Sequence, residues 1–195
     1  MAQIVLDRLA ARFAAGEILE SGSAHGDEWA RIRRDAWIPV AMFLREDPAT
    51  KMETFIDLTC VDRFGMRANP GGLNPHALAA RGPSSNPSAP TEVPTAEPPR
   101  FDVVLHVYSV SLKHRVRLYC GVTEEDPLVD TLVSVWPGAN WFEREAYDLY
   151  GVRFKGHPDL RRILMYPEFV GHPLRKDYPK EKRQPLVRRQ AGAPD

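Results

Sequence analysis

The sequence is poor in several features that mark large classes of protein. It holds two cysteines in 195 residues, Cys60 and Cys120, and neither belongs to a CxxC pair. Two thiols cannot build a four-cysteine cluster or a disulfide framework, so they read as reduced core residues of a cytosolic compartment. Long apolar runs are missing too. The longest, Ala36 to Leu44, is nine residues and contains Pro39, whereas a membrane span needs about 20. The first twenty residues have no basic start, apolar centre or small-residue cleavage site, and so do not read as a signal peptide. No GxGxxG, GxxxxGK[ST] or GxSxG motif occurs, which removes the commonest phosphate loops and the nucleophile elbow. No glycine period appears, which excludes a fibrous repeat.

What is present is a chain of ordinary globular composition, with 43% hydrophobic and 27% charged residues. The length suits one domain. The net charge is zero, but it is unevenly spread. Residues 153–195 carry eleven Lys or Arg against five Asp or Glu, and residues 1–152 carry the opposite excess. A basic end on a neutral protein suggests an acidic surface on which it lies.

Hydrophobic periodicity divides the chain. From Ile4 to Ile18 the apolar residues recur near every 3.6 positions and predict an amphipathic helix ending at Gly16. A second helix is expected from Pro39, closed by Asp47-Pro48, and a strand over Thr54 to Val61. Residues 65–100 contain eight of the eighteen prolines and read as a mobile insertion between two strands. Its PSAP stretch, Pro87 to Pro90, matches a PxxP ligand only at the level of chance. Phe101–Val110 and Arg115–Val122 alternate apolar and polar residues and predict an antiparallel hairpin. Leu128 to Trp136 suggests one or two helical turns, and Ala139 to Tyr150 a helix capped by Gly138 or Asn140. The sum is an α+β fold: a domain over 1–152 in which a small mixed or antiparallel sheet and helices form two layers, followed by an extended basic arm over 153–195. Such an arm cannot satisfy its backbone groups alone, so an ordered arm implies a partner outside the chain.

Catalytic groupings are weak. Glu143 and Glu145 are two apart on the expected helix and point apart, so capping and ion pairing suit them better than acid–base work. Arg144 and Asp148 have the spacing of an i, i+4 ion pair. His157, His172, Asp159 and Asp177 could hold a metal, which keeps open a stand-alone metal-dependent enzyme, but no regular spacing organises them. The basic arm keeps open a nucleic-acid-binding module, though its sparse aromatics form no stacking platform.

One run is more specific. Glu143-Arg144-Glu145, then Asp148-Leu149-Tyr150, His157, Arg161 and Ile163-Leu164, at their spacings, resemble the signature of the 30-kDa subunit of respiratory NADH:quinone oxidoreductase (complex I). The flanks Trp136-Pro137 and Gly171-His172-Pro173-Leu174-Arg175-Lys176-Asp177-Tyr178-Pro179 resemble that family as well. The resemblance is strong over residues 101–179 and diffuse over 1–64, and residues 65–100 depart from it as an insertion.

The resemblance implies a structural, non-redox subunit of the complex's peripheral arm on the cytoplasmic side of the inner membrane, without a membrane span or nucleic-acid role. It implies no catalytic, cofactor or metal residue in this chain. FMN, the iron–sulfur clusters and quinone would belong to partner subunits. The arm would dock on the complex's D subunit, the neighbour similar to a hydrogenase large subunit. Glu143, Arg144, Glu145, Asp148, His157, Arg161, Arg162, His172, Arg175 and Lys176 would mark that interface. Arg161, Arg162, Arg175 and Lys176 would contact acidic groups across it, and Trp141, Phe142 and Tyr147 would lie at or beneath it.

Overall fold

Two strands with matched alternation form the centre of the structure. In β4 (Phe101–Ser109) and β5 (His114–Val122), Val103, Leu105 and Val107 stand opposite Cys120, Leu118 and Val116. All six are buried on one face, as period-2 side chains must be when one face meets a core. The computed structural model describes residues 3–24, 26–65, 99–181 and 184. The proline-rich stretch, apart from its two ends, and the last eleven residues lie outside the described residues.

The other elements gather on this pair. They are α1 (Gln3–Arg12), β1 (Ile18–Ala24), β2 (Asp27–Ile32), α2 (Trp37–Glu46) and β3 (Thr54–Asp62), followed beyond the hairpin by β6 (Leu128–Asp130), α3 (Ala139–Tyr150) and β7 (Arg153–Lys155). Five strands form a mixed sheet in the order β1-β2-β5-β4-β3, with β2 and β5 parallel and the other pairs antiparallel. The helices bury Val5 and Leu9 of α1, Trp37, Val40 and Leu44 of α2, and Ala139 and Ala146 of α3 in the core that the sheet lines. The fold is α+β, as the patterning predicts. Burying a side chain of Leu or Val size contributes roughly 1.5–3 kcal/mol, so this layer is the main source of stability.

Three local expectations need correction. The first helix ends at Arg12, not Gly16, and Ile18 opens β1 instead of closing the helix. Gly16 sits in the intervening turn at φ +107°, a conformation open to glycine. Second, sequence periodicity missed the β1–β2 hairpin, because β1 (ILESGSA) is rich in glycine and serine and has no core-facing alternation. Third, Leu128–Trp136 is not helical at its start. Residues 128–130 pair in parallel with β7, and the turns that follow are held by the Trp136 indole donating to the Met52 carbonyl at 3.2 Å. The second helix begins two residues before Pro39, which still lies in the first turn, where its missing donor costs nothing. The strand over 54–62 and the hairpin over 101–122 stand where they are predicted.

Candidate functional site

The family-like run builds a continuous site from α3 and the chain that follows it. The helix opens at Gly138 without a side-chain cap and closes at Gly151, whose φ of +82° is the left-handed cap that only glycine adopts freely. Beyond β7 the chain folds back along this helix as a strap over residues 156–181.

Asp148 is the anchor of the strap. Its carboxylate is fully enclosed. Oδ2 accepts the backbone N–H groups of Ile163, Leu164 and Met165 at 3.1, 2.8 and 2.9 Å. Oδ1 takes Arg162 Nη1 at 2.7 Å, and Arg162 Nη2 donates to the Gly171 carbonyl at 3.0 Å. Burial alone would raise the Asp148 pKa, but these donors outweigh it and hold the acid below its ordinary range. The Asp148 carbonyl takes the Nδ1–H of His172 at 3.0 Å. Since a carbonyl only accepts, Nδ1 carries the proton. Burial lowers the pKa of this imidazole, so the neutral form is favoured.

A second anchor joins the strap to the sheet. Arg100, just before β4, is 1% exposed at its side chain and meets Asp62 at 3.0 Å, Asp177 at 2.6 Å and Glu124 at 2.6 Å. Burial works against its charge, but these three carboxylates prevail and raise its pKa. Asp62 also accepts the Lys176 N–H at 2.8 Å. Arg175 donates from Nε to the Tyr150 carbonyl at 2.6 Å and stacks on Phe101 at 5.0 Å.

The ten marked residues lie along α3 and the strap, in roles that differ from residue to residue. Glu143 is buried and is not a surface ion-pair partner. It accepts Thr131 Oγ1 at 2.5 Å and the Leu132 N–H at 2.6 Å, and burial pushes its pKa up to about 7. Glu145, two positions on, is exposed. The expected Arg144–Asp148 pair does not form. Asp148 takes Arg162 instead, while Arg144 donates from Nε to the Arg161 carbonyl at 3.2 Å and lies 5.0 Å from the Trp141 ring centroid. His157 accepts the Asp159 N–H at Nδ1 and donates from Nε2 to the Asn140 carbonyl at 3.2 Å. Arg161 is exposed and pairs with Asp159 at 2.9 Å, and the Lys176 side chain is exposed. Phe142 and Tyr147 are half-buried, whereas Trp141 faces outward.

Part of the arm's order comes from the chain's own domain. Over the described residues 156–181 its hydrogen bonds run partly within the strap and partly to α3 and the sheet. The partners that sequence reasoning missed are Asp62, Arg100 and Glu124. Their signal was faint: charged residues at the ends of apolar strands, which burial must pair.

His157, His172, Asp159 and Asp177 do not converge; each is engaged elsewhere. Among the described residues no group of three or more His, Cys, Asp or Glu could hold a metal ion. Cys60 and Cys120 are buried on separate strands, and desolvation raises both thiols, Cys120 to about 12.

Comparison with known proteins agrees with this geometry. The model of the respiratory-chain NADH dehydrogenase 30-kDa subunit family matches residues 30–184. The chain is 41% identical to the C subunit of NADH-quinone oxidoreductase from Bordetella avium over 166 residues, covering 84% of this chain and 72% of that protein. It is 38% identical to the same subunit of Geobacter sulfurreducens over 172 residues, or 88% of this chain and 86% of that one. Among solved structures, a trypsin-resistant fragment of Nqo5 superimposes with a TM-score of 0.54 at 24% identity, covering 81% of this chain and 98% of the fragment. A chain of an archaeal membrane-bound sulfane sulfur reductase superimposes at 0.60 and 19%, over 92% of this chain and 85% of its own. These two likenesses concern the fold. With the family model spanning β3 to β5, α3 and the strap, the chain belongs to the respiratory-chain NADH dehydrogenase 30-kDa subunit family.

Proposed function

We propose that this chain is a non-redox structural subunit of the peripheral arm of NADH:quinone oxidoreductase, seated on the hydrogenase-like large subunit through α3 and the strap. The observation that carries the reading is an apolar surface held rigid from behind. Trp141 on α3 is 63% exposed, and Leu164, Val170 and Leu174 are 55%, 63% and 49% exposed on a strap whose backbone is fixed by Asp148, Asp62 and Arg175. Exposed apolar groups on a preordered segment mark a protein interface, because docking them costs little further ordering entropy.

In this role the chain carries no cofactor. Two separated, buried cysteines cannot ligate a cluster, and electrons would pass through partner subunits whose spacing the chain holds. Its place at the membrane is peripheral; among the described residues no helix is long and apolar enough to cross one. The arginines expected to reach a nucleic acid or a partner are largely engaged at home: Arg162 on Asp148, and Arg175 on Tyr150.

The test is affinity purification of the tagged full chain from cells, with partners identified by mass spectrometry and their contacts by cross-linking. Recovery of the hydrogenase-like large subunit in equal amount and cross-linked to the strap, lost when Leu164 and Val170 are both changed to Asp, supports the reading. Recovery of the complex with no cross-link between those two polypeptides, or undiminished assembly of the double variant, would overturn it. The isolated chain is expected to show no visible absorbance and no NADH oxidation.

A further inference from the structure

One cation of the site keeps its two terminal nitrogens without an acceptor among the described residues. Arg144 is 8% exposed. Its guanidinium carries a positive charge and five N–H donors. One donor, Nε, reaches the Arg161 carbonyl at 3.2 Å. Nη1 and Nη2 donate to no acceptor among the described residues, and no carboxylate among them pairs with this arginine. Its guanidinium also lies 5.0 Å from the centroid of the Trp141 ring, itself 63% exposed.

Other enclosed arginines are treated differently by this fold. Arg31 and Arg63 share Asp102 at 2.6 and 3.0 Å. Arg100 gathers three carboxylates, and Arg162 takes Asp148 at 2.7 Å. Half-buried Arg117, which has no carboxylate, finds His106 Nε2 and the Tyr119 hydroxyl, each at 3.2 Å. Arg144 keeps both terminal nitrogens without a carboxylate, and neither is among the fully buried unpaired atoms of the described residues, so they open outward beside the exposed Trp141 ring.

We infer that Arg144 is a receptor for a carboxylate supplied by a neighbouring polypeptide, an Asp or Glu side chain that enters beside Trp141 and takes the two free nitrogens bidentately. Charge complementarity selects this occupant. A planar fork with both terminal nitrogens unused matches a carboxylate in geometry and in sign, and the adjoining indole covers the pair from water. Tryptophan and arginine side by side are also the residues that carry most of the energy in interfaces. The inference rests on the reading that this face docks on a partner polypeptide, and it names the chemistry of the contact.

The assignment makes two opposite demands on one residue. In the isolated chain the terminal nitrogens make no ion pair, so replacing the arginine by an apolar side chain of similar length should leave stability nearly unchanged. In the complex the same replacement should remove a paired contact. The experiment therefore uses Arg144→Met, Arg144→Glu and Arg144→Lys in the full chain. Thermal melting of each isolated chain is set against its occupancy in the complex purified through a tag on another polypeptide of the assembly. Arg144→Met should melt close to the wild type, yet show at least a tenfold loss of occupancy under competition with wild-type chain. Arg144→Glu should lose more, and Arg144→Lys less. An Asp or Glu to Lys change in the neighbour should restore Arg144→Glu.

If Arg144→Met assembles as well as the wild type while Leu164→Asp does not, the interface stands and the carboxylate falls. If Arg144→Met melts well below the wild type, the arginine serves the chain's own fold and the inference is wrong. If neither Arg144→Met nor Leu164→Asp affects assembly, the docking face itself is misplaced.

Discussion

A side chain on Gly151 would collide with His172. A Cβ built there lies 2.6 Å from His172 Nε2 and 2.7 Å from Arg175 Nη2, and φ is +82°. The cap of α3 is therefore also the seat of the strap. Gly151→Ala should cost about 1–2 kcal/mol for the left-handed backbone, and more for displacement of the imidazole. Denaturant melts of the full chain would give the loss, and faster tryptic cleavage after Arg161 and Arg162 would locate it in the strap.

Asp148→Ala should be more damaging. It leaves Arg162 without its carboxylate and three backbone N–H groups without acceptors, a class of change worth roughly 3–5 kcal/mol for a buried pair. Because Arg162 is 19% exposed at its side chain, water recovers part of the loss, and the lower end of that range is expected by chemical denaturation.

Acid should release the strap before it melts the sheet. Asp62, Asp148 and Asp177 all have pKa values held below the ordinary 3.8. Their contribution is complete above that value and is lost as the pH falls through their folded pKa values. Hydrogen exchange at Ile163, Leu164 and Met165 should accelerate below pH 3.8, ahead of the amides of β4 and β5.

Glu143 works in the other direction. Its folded pKa is raised from 4.5 to about 7, so the folded chain holds a proton that the unfolded chain releases. That contribution is whole below pH 4.5 and disappears as the pH rises through about 7, at about 1.4 kcal/mol per unit. Glu143→Gln, which can still accept from Leu132, should flatten the decline between about pH 5 and 8 and make the variant the more stable of the two at about pH 8. Melting temperatures across that range would show it.

The sequence made β3, β4, β5 and α3 legible because their apolar periods are clean: Val103, Leu105 and Val107 answer Cys120, Leu118 and Val116, and Ala139, Glu143 and Ala146 lie on one buried stripe. That stripe carried a warning, since an acid at its centre could not be a surface residue. The strap was illegible for a different reason. Its partners are distant in sequence; Lys176 bonds to Asp62 across 114 positions. Local spacing favoured Arg144 for Asp148, but Arg162, fourteen residues on, arrives with three backbone amides. A favourable i, i+4 spacing contributes only a few tenths of a kcal/mol, too little to compete with that cluster.

The contact between Asp62 and Arg100 has one more consequence. With the Arg63 N–H on the Arg100 carbonyl at 2.8 Å, it brings the departure and return points of the proline-rich stretch into register at a single doorway of the sheet. Whatever length of chain passes between them, its ends are already met, and each doubling of such a segment adds only about 0.6 kcal/mol of closure entropy. Evolution is thus free to lengthen, trim or rewrite this excursion while the scaffold beneath keeps its shape.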